Sequence, residues 1–98
     1  MIVEIARIKI KPGMESQFED ALRFVAAAFK RAKGCHGSEM RRSLEHRDVY
    51  YVRVQWDTVE NHMVDFRNSP DGAEWGRLSR PCMDGPPVFD HTELISGA

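Results

Sequence analysis

Along residues 2–10 apolar and polar positions alternate, with Ile2, Ala6, Ile8 and Ile10 on one phase and Val3, Ile5, Arg7 and Lys9 on the other. That alternation, rich in β-branched side chains, predicts a strand. Pro12-Gly13 breaks it, and from about residue 15 to 33 the spacing changes: Phe18, Leu22, Val25 and Phe29 recur every three or four positions, flanked by Ala21, Ala28 and Ala32. This is the apolar stripe of a long amphipathic helix. Glu15, Glu19 and Asp20 lie near its positive N-terminal end and Lys30, Arg31 and Lys33 near its negative C-terminal end, with Gly34 suited to a left-handed C′ position.

Two further strand-like runs, about 36–44 and 48–56, flank the polar Glu45-His46-Arg47 and read as a hairpin; the second alternates Tyr50, Val52, Val54 and Trp56 against Val49, Tyr51, Arg53 and Gln55. Asp57 and Glu60 have the spacing of a capping box, after which Val59, Met63 and Phe66 mark one face of a helix reaching about residue 68. Ser69-Pro70-Asp71-Gly72 reads as a turn, and residues 73–78 as a short extra helix burying Trp75 and Leu78. A proline-rich loop then leads into a last alternating strand over 88–95, and no repeat, low-complexity tract or inter-domain linker interrupts the chain.

The order βαββαβ with right-handed crossovers is the ferredoxin-like α+β plan, a four-stranded antiparallel sheet with helices on one face. The other face would carry Val3, Ile5, Val49 and Tyr51 among Arg7, Arg53 and Gln55, too apolar for water and too polar for a monomer core. Pairing two such sheets into a dimeric α+β barrel resolves this. Arg53 and Gln55 are then either solvated strand positions or polar contacts inside the barrel.

A chain of 98 residues has room for a single domain, 1–98, with one modest core. Roughly a third of the unfolded chain's surface stays exposed at this size. With 42% apolar residues and nine aromatics (Trp 2, Tyr 2, Phe 5), a homodimer is the expectation. The 14 basic and 15 acidic residues leave a net charge of -1, so no single-signed field draws nucleic acid or an anionic membrane. Glu4, Arg7 and Lys9 interrupt the apolar start, which lacks the hydrophobic stretch of a signal peptide or spanning helix, and a cytoplasmic location is expected. Cys35 and Cys82 are too few and too far apart for a disulfide framework and should remain thiols.

The strand followed by Lys11-Pro12-Gly13, the Gly34-Cys35 turn, the strand ending in Trp56-Asp57 and the stretch from Glu60 and His62 to Ser69 occur in order and at the right distances. Over about residues 1–95 the chain thereby resembles the antibiotic biosynthesis monooxygenase (ABM) family of dimeric α+β barrels. The resemblance implies a pocket between sheet and helices in each subunit, large enough for a flat polycyclic or haem-like molecule. Some members oxygenate anthrone-type or quinol substrates with O₂ and no metal or organic cofactor; others bind and degrade haem. The haem-degrading branch uses an Asn on the first strand, a Trp late in the second helix and a His in the next. Here these positions fall on Ala6, Phe66 and about Gly76, which disfavours haem degradation. The Asn, Trp and Tyr of the oxygenating members have no clear counterparts, and fold membership does not transfer activity.

Several residues have both a plain and a functional reading. Trp56 can simply pack the core or offer its indole N–H to a ligand. His62 can be an ordinary exposed or hydrogen-bonded histidine, or face the pocket, where a pKa of about 6.5 suits proton transfer with a phenolic substrate. Glu4 shares a phase with Ile2, Ala6 and Ile8: it is either a surface carboxylate or one that faces the helices, where desolvation raises its pKa and makes it a possible base. Phe24, Phe66 and Trp75 are core aromatics or walls for a planar ligand, with Ala6 beside them.

His36, His46, His62 and His91 show no metal-binding spacing, so no metal or other cofactor is expected. Cys35 adjoins a helix C-terminus, which disfavours its thiolate. No nucleophile elbow or phosphate-cradling glycine loop is present, which removes hydrolase and kinase chemistry. The leading expectation is a cofactor-independent monooxygenase acting on a small planar phenolic, quinol or anthrone-type aromatic, with His62 in acid–base work and Trp56 hydrogen bonding or stacking. The alternatives are a non-catalytic ligand-binding or stress-related barrel and an isomerase or decarboxylase of the same barrel class.

Overall fold

The computed structural model describes residues 1–97, in the order strand β1 (Ile2–Lys9), helix α1 (Glu15–Phe29), strands β2 (Cys35–Arg42) and β3 (Val49–Trp56), a π-helical segment (Asn61–Phe66), helix α2 (Pro70–Ser79), a 3₁₀ turn (Arg80–Cys82) and strand β4 (Val88–Thr92). The strands form one antiparallel sheet ordered β2-β3-β1-β4. This is the ferredoxin-like arrangement that the alternation predicts. The inner phases of β1 and β3 carry Ala6, Ile8, Tyr50, Val52, Val54 and Trp56 into the core, where α1 meets them with Phe18, Leu22, Val25, Ala28 and Phe29. Phe18 packs edge-on to Tyr50 at 5.1 Å and Phe29 edge-on to Trp56 at 5.7 Å between centroids. Each such side chain taken from water contributes about 1.5–3 kcal/mol, and truncating Phe18 to Ala would cost about 3–5 kcal/mol.

The element boundaries depart from the sequence expectation in four places. Helix α1 ends at Phe29 rather than near residue 33, because Lys30, Arg31 and Ala32 bond three residues back, to Ala27, Ala28 and Phe29. Gly34 does take the left-handed conformation, at φ +77°, and the amide of Asn61 fills the space a Cβ would need. The cap expected at Asp57 belongs to Thr58 and Asn61: the Asn61 side-chain oxygen accepts from the Thr58 N–H at 3.1 Å, and the Asn61 N–H donates to Thr58 Oγ1 at 3.2 Å. Asp57 is taken instead by His36, 2.6 Å away.

Ser69-Pro70-Asp71-Gly72 is the start of α2 and not a separate turn. Ser69 Oγ accepts from the Gly72 N–H at 3.0 Å, and Pro70 occupies the first helical position, where its missing N–H costs nothing. Asp71 clamps Arg31 through two bonds of 2.8 and 3.0 Å, tying α2 to the end of α1. Strand β4 stops at Thr92, leaving Leu94 and Ile95 exposed. On the uncovered face of the sheet Ile5, Arg7 and Arg53 are exposed and Val3, Tyr51 and Gln55 half-buried, whereas Val49, expected there, is buried. Among the described residues no helix is long and apolar enough to cross a membrane, and both cysteines are free.

Candidate functional site

The inner phase of β1 aims Glu4, Ala6 and Ile8 at the helices, and Glu4 is only 7% exposed. At the end of β3, the buried Trp56 donates its indole N–H to Glu4 Oε1 at 3.0 Å. The π-helical segment supplies the next group. Its wider turn, marked by the Arg67 N–H bonding the His62 carbonyl five residues back, places the buried residues Asn61 and Phe66 five apart and turns His62 inward between them. The imidazole stacks on Trp56, centroids 5.6 Å apart and planes 16° from parallel. His62 Nε2 lies 3.4 Å from Glu4 Oε2, and His62 Nδ1 lies 2.8 Å from Nε2 of His91 on β4, directly across the sheet from Glu4.

Trp56, Glu4, His62 and His91 therefore form a continuous polar chain inside an apolar shell. Burial pushes the Glu4 carboxyl from 4.5 up to about 7, opposed in part by the Trp56 hydrogen bond. Burial also pushes the His62 imidazole from 6.5 down to about 4, with the charges of His91 and Arg67 acting in the same direction. Two tautomeric arrangements satisfy the chain. With Glu4 protonated, its O–H points at His62 Nε2 and His62 Nδ1–H donates to His91; with Glu4 ionised, His62 Nε2–H points at the carboxylate and His91 Nε2–H donates to His62. Moving one proton along the chain interconverts them. His62 faces Glu4 and His91 with different ring nitrogens, so the three groups make a relay and not a convergent set of metal ligands.

Glu4 and His62 open onto a cavity of about 220 Å³. Strand β1 contributes Ala6 and Ile8 to its lining, the rings of Phe29, Phe66, Trp75 and Phe89 surround it, and Gly72, Gly76 and Ser79 of α2 complete the wall. Gly72 permits the close approach of α2 to the π-helical segment, since a Cβ there would overlap the Phe66 carbonyl. A larger, open depression of about 350 Å³ lies beside Arg23, Arg41, Arg42 and Arg47. Its polar groups are already engaged: Arg23 with Asp20, Arg41 with Glu39, Arg42 with the Arg47 carbonyl, and Tyr50 with Glu19. The smaller cavity, with its buried titratable chain, is the stronger site.

Of the residues singled out from sequence, Glu4, Ala6, His62, Phe66 and Trp75 line this cavity together. Trp56 does not line it; its N–H is committed to Glu4 and it acts on the cavity through Glu4 and His62. Phe24 is half-buried against the core and is not part of the lining. Ala6, Phe66 and Gly76, the positions aligned with the polar trio of the haem-degrading branch, all line the cavity and bring no polar side chain. Sequence reasoning gave no role to His91, Phe89, Arg67 or Arg80.

Residues 1–77 match the family profile described as antibiotic biosynthesis monooxygenase. Bacillus subtilis YczJ, itself uncharacterised, is 33% identical over 95 residues, covering 97% of this chain and 100% of the relative. A crystal structure from Bordetella bronchiseptica, of a protein provisionally named an antibiotic biosynthesis monooxygenase, is 43% identical, covers 97% of each chain and superposes with a TM-score of 0.90. Rv0793 from Mycobacterium tuberculosis shares the fold with a TM-score of 0.85 at 14% identity, over 99% of this chain and 97% of that one.

Proposed function

The chain belongs to the antibiotic biosynthesis monooxygenase family, and from that premise we propose a homodimeric, cofactor-independent monooxygenase that oxidises a small planar phenolic, quinol or anthrone-type molecule with O₂. The observation that carries the reading is the buried Glu4–His62–His91 chain, which meets a ring-lined cavity at Glu4 and His62. The acid–base role expected at His62 passes to Glu4. A carboxyl titrating near 7 is matched to proton exchange at neutral pH, whereas an imidazole held near 4 is matched to relaying a proton it does not keep.

For a phenol with a free ring position the steps balance as follows. Ionised Glu4 accepts the hydroxyl proton, and the phenolate passes one electron to O₂. The aryloxyl radical and superoxide combine into a carbon-bound peroxide anion, which takes the proton back from Glu4. The O–O bond then breaks with loss of the ring C–H proton, leaving a second ring carbonyl and water. The substrate loses two hydrogens, gains one oxygen atom and supplies all four electrons. The aromatic and aliphatic lining keeps bulk water from the peroxide.

The uncovered sheet face, with Ile5 exposed beside Arg7 and Arg53, supports pairing with a second copy. The test of the activity is oxygen uptake by the metal-stripped protein with a panel of anthrones, quinols and phenols. Uptake above the autoxidation blank that falls in Glu4→Gln is the expected result; a flat trace overturns the reading in favour of a non-catalytic ligand-binding barrel, which the apolar Ala6, Phe66 and Gly76 positions favour.

A further inference from the structure

Two arginines stand at the cavity without a carboxylate. Arg67 closes the π-helical segment and Arg80 follows α2; both line the cavity and both are exposed. Among the described residues neither has a carboxylate oxygen within 4.0 Å, whereas Arg31 and Arg77 are clamped by Asp71 and Glu74. Among the described residues the Arg67 guanidinium bonds only to Met63 Sδ, at 3.5 Å. The Arg80 guanidinium lies over Gly76, its carbon 3.4 Å from where a Cβ would stand, so this cation runs along the cavity wall that α2 supplies.

Among the described residues Glu4 is the only carboxyl in the lining, and it is buried against Trp56 and His62, away from either arginine's ion-pairing reach. Beside the proton-exchanging Glu4 the cavity therefore has a cationic side at Arg80 that, among the described residues, holds no counter-charge. Met83 bridges to Ile10 and the Asp84 N–H bonds the Lys9 carbonyl, which sets the segment after Arg80 beside the far end of β1. Glu4 and Ile8 are separated by roughly 13 Å of strand.

A cavity of about 150 Å³ accepts one benzene ring. The 220 Å³ here leaves room for a ring with small polar substituents. We infer that the occupant is a single-ring hydroxy-aromatic acid, its carboxylate paired with Arg80 under the added charge of Arg67, its ring among Phe66, Trp75 and Phe89, and its hydroxyl at Glu4 and His62. This rests on the cavity's being the substrate site and narrows the substrate class within that reading.

The test is calorimetric titration of the full chain with 3-hydroxybenzoate and with 3-hydroxybenzyl alcohol, which differ in the carboxylate alone. The acid should bind roughly tenfold more tightly, the size of a charge-assisted bond at a partly exposed site. Arg80→Gln should erase that preference while leaving the alcohol unchanged, and Arg80→Lys should keep part of it; amide NMR spectra confirm that each variant is folded. Equal binding of the two compounds, a preference that survives Arg80→Gln, or no binding of either overturns the inference. Oxygen uptake separates the two claims: an acid that binds through Arg80 while no member of the panel consumes O₂ sinks the monooxygenase and leaves this inference standing, and uptake with neutral phenols without an Arg80-dependent preference for the acid does the reverse.

Discussion

Trp56 donates its indole N–H to Glu4 across 3.0 Å, and neither residue is more than 7% exposed. The bond favours the ionised carboxyl, since it is the one influence that opposes burial in setting the Glu4 pKa. Replacing Trp56 with Phe keeps most of the ring packing and deletes the donor. Glu4 should then titrate above about 7. The folded state should lose about 1.5–3 kcal/mol where Glu4 is charged, and less where it is protonated. Urea unfolding of Trp56→Phe and the native chain at about pH 8 and about pH 5 checks this; an equal loss at both would mean that the N–H does not serve the charge.

Glu4 itself gives a pH signature. Its folded pKa is raised from 4.5 to about 7, so its contribution to stability is fully present below 4.5 and is lost as pH rises through 7. His62 runs the other way: lowered from 6.5 to about 4, its contribution is present above 6.5 and is lost as pH falls through 4. In the native chain the two slopes oppose each other between 4.5 and 6.5. In Glu4→Gln the His62 slope stands alone, so stability should climb from about pH 4 to about 6.5, and the gap to the native chain should change by about 3 kcal/mol between 4.5 and 7. The depressed carboxyls of Glu39, Asp71 and Glu74 are common to both proteins and cancel in the difference. Parallel curves for the two proteins would contradict the buried assignment of Glu4.

Much of this arrangement was written in residue periodicity. The phase of β1 groups Glu4 with Ala6 and Ile8 but leaves open whether it is a surface carboxylate, and the phase of β3 buries Trp56, because a strand's period of two leaves each side chain only one of two faces. The aim of His62 was not legible. A 3.6-residue period groups Val59, Met63 and Phe66, but the chain widens into a π turn after Thr58 and Asn61 cap it, so that Asn61 and Phe66 are buried and Val59 is exposed. His91 was hidden for another reason: its place opposite Glu4 depends on the register of β4, which the loop through Met83–Pro87 sets. The two cavity arginines carry no sequence signal at all, since only the ion pairs seen for Arg31 and Arg77 show that Arg67 and Arg80 lack a carboxylate partner among the described residues.

Gly72 holds the π-helical segment and α2 together, because any side chain at this position would overlap the backbone carbonyl of Phe66. A backbone oxygen cannot swing aside as a flexible side chain can, so Gly72→Ala should force the two segments apart at a cost of about 1–3 kcal/mol. Phe66, Trp75 and His62 line the cavity from those segments, so their NMR resonances should shift while those of β2 stay in place. Thermal unfolding and heteronuclear spectra test this together; a variant as stable as the native chain with unshifted cavity resonances would contradict the close approach.

The last expectation concerns the bare face of the sheet. Ile5 is 40% exposed near the middle of β1, its register partners are Arg53 on β3 and Asp90 on β4, and Val88 on the same face is 65% exposed. An apolar residue framed by charges of both signs suits an interface in which ion pairs surround an apolar centre. Under the proposed homodimer, light scattering should report twice the 11.3 kDa chain mass. Ile5→Glu places a second carboxylate beside Asp90 on each copy and, brought face to face without water, should dissociate the pair to monomers. The same change points away from Glu4 and Ala6, so circular dichroism of the monomer should keep the native helix and strand content. A dimer untouched by Ile5→Glu would place the contact on another surface, and a native chain that is monomeric at micromolar concentration would remove the homodimer altogether.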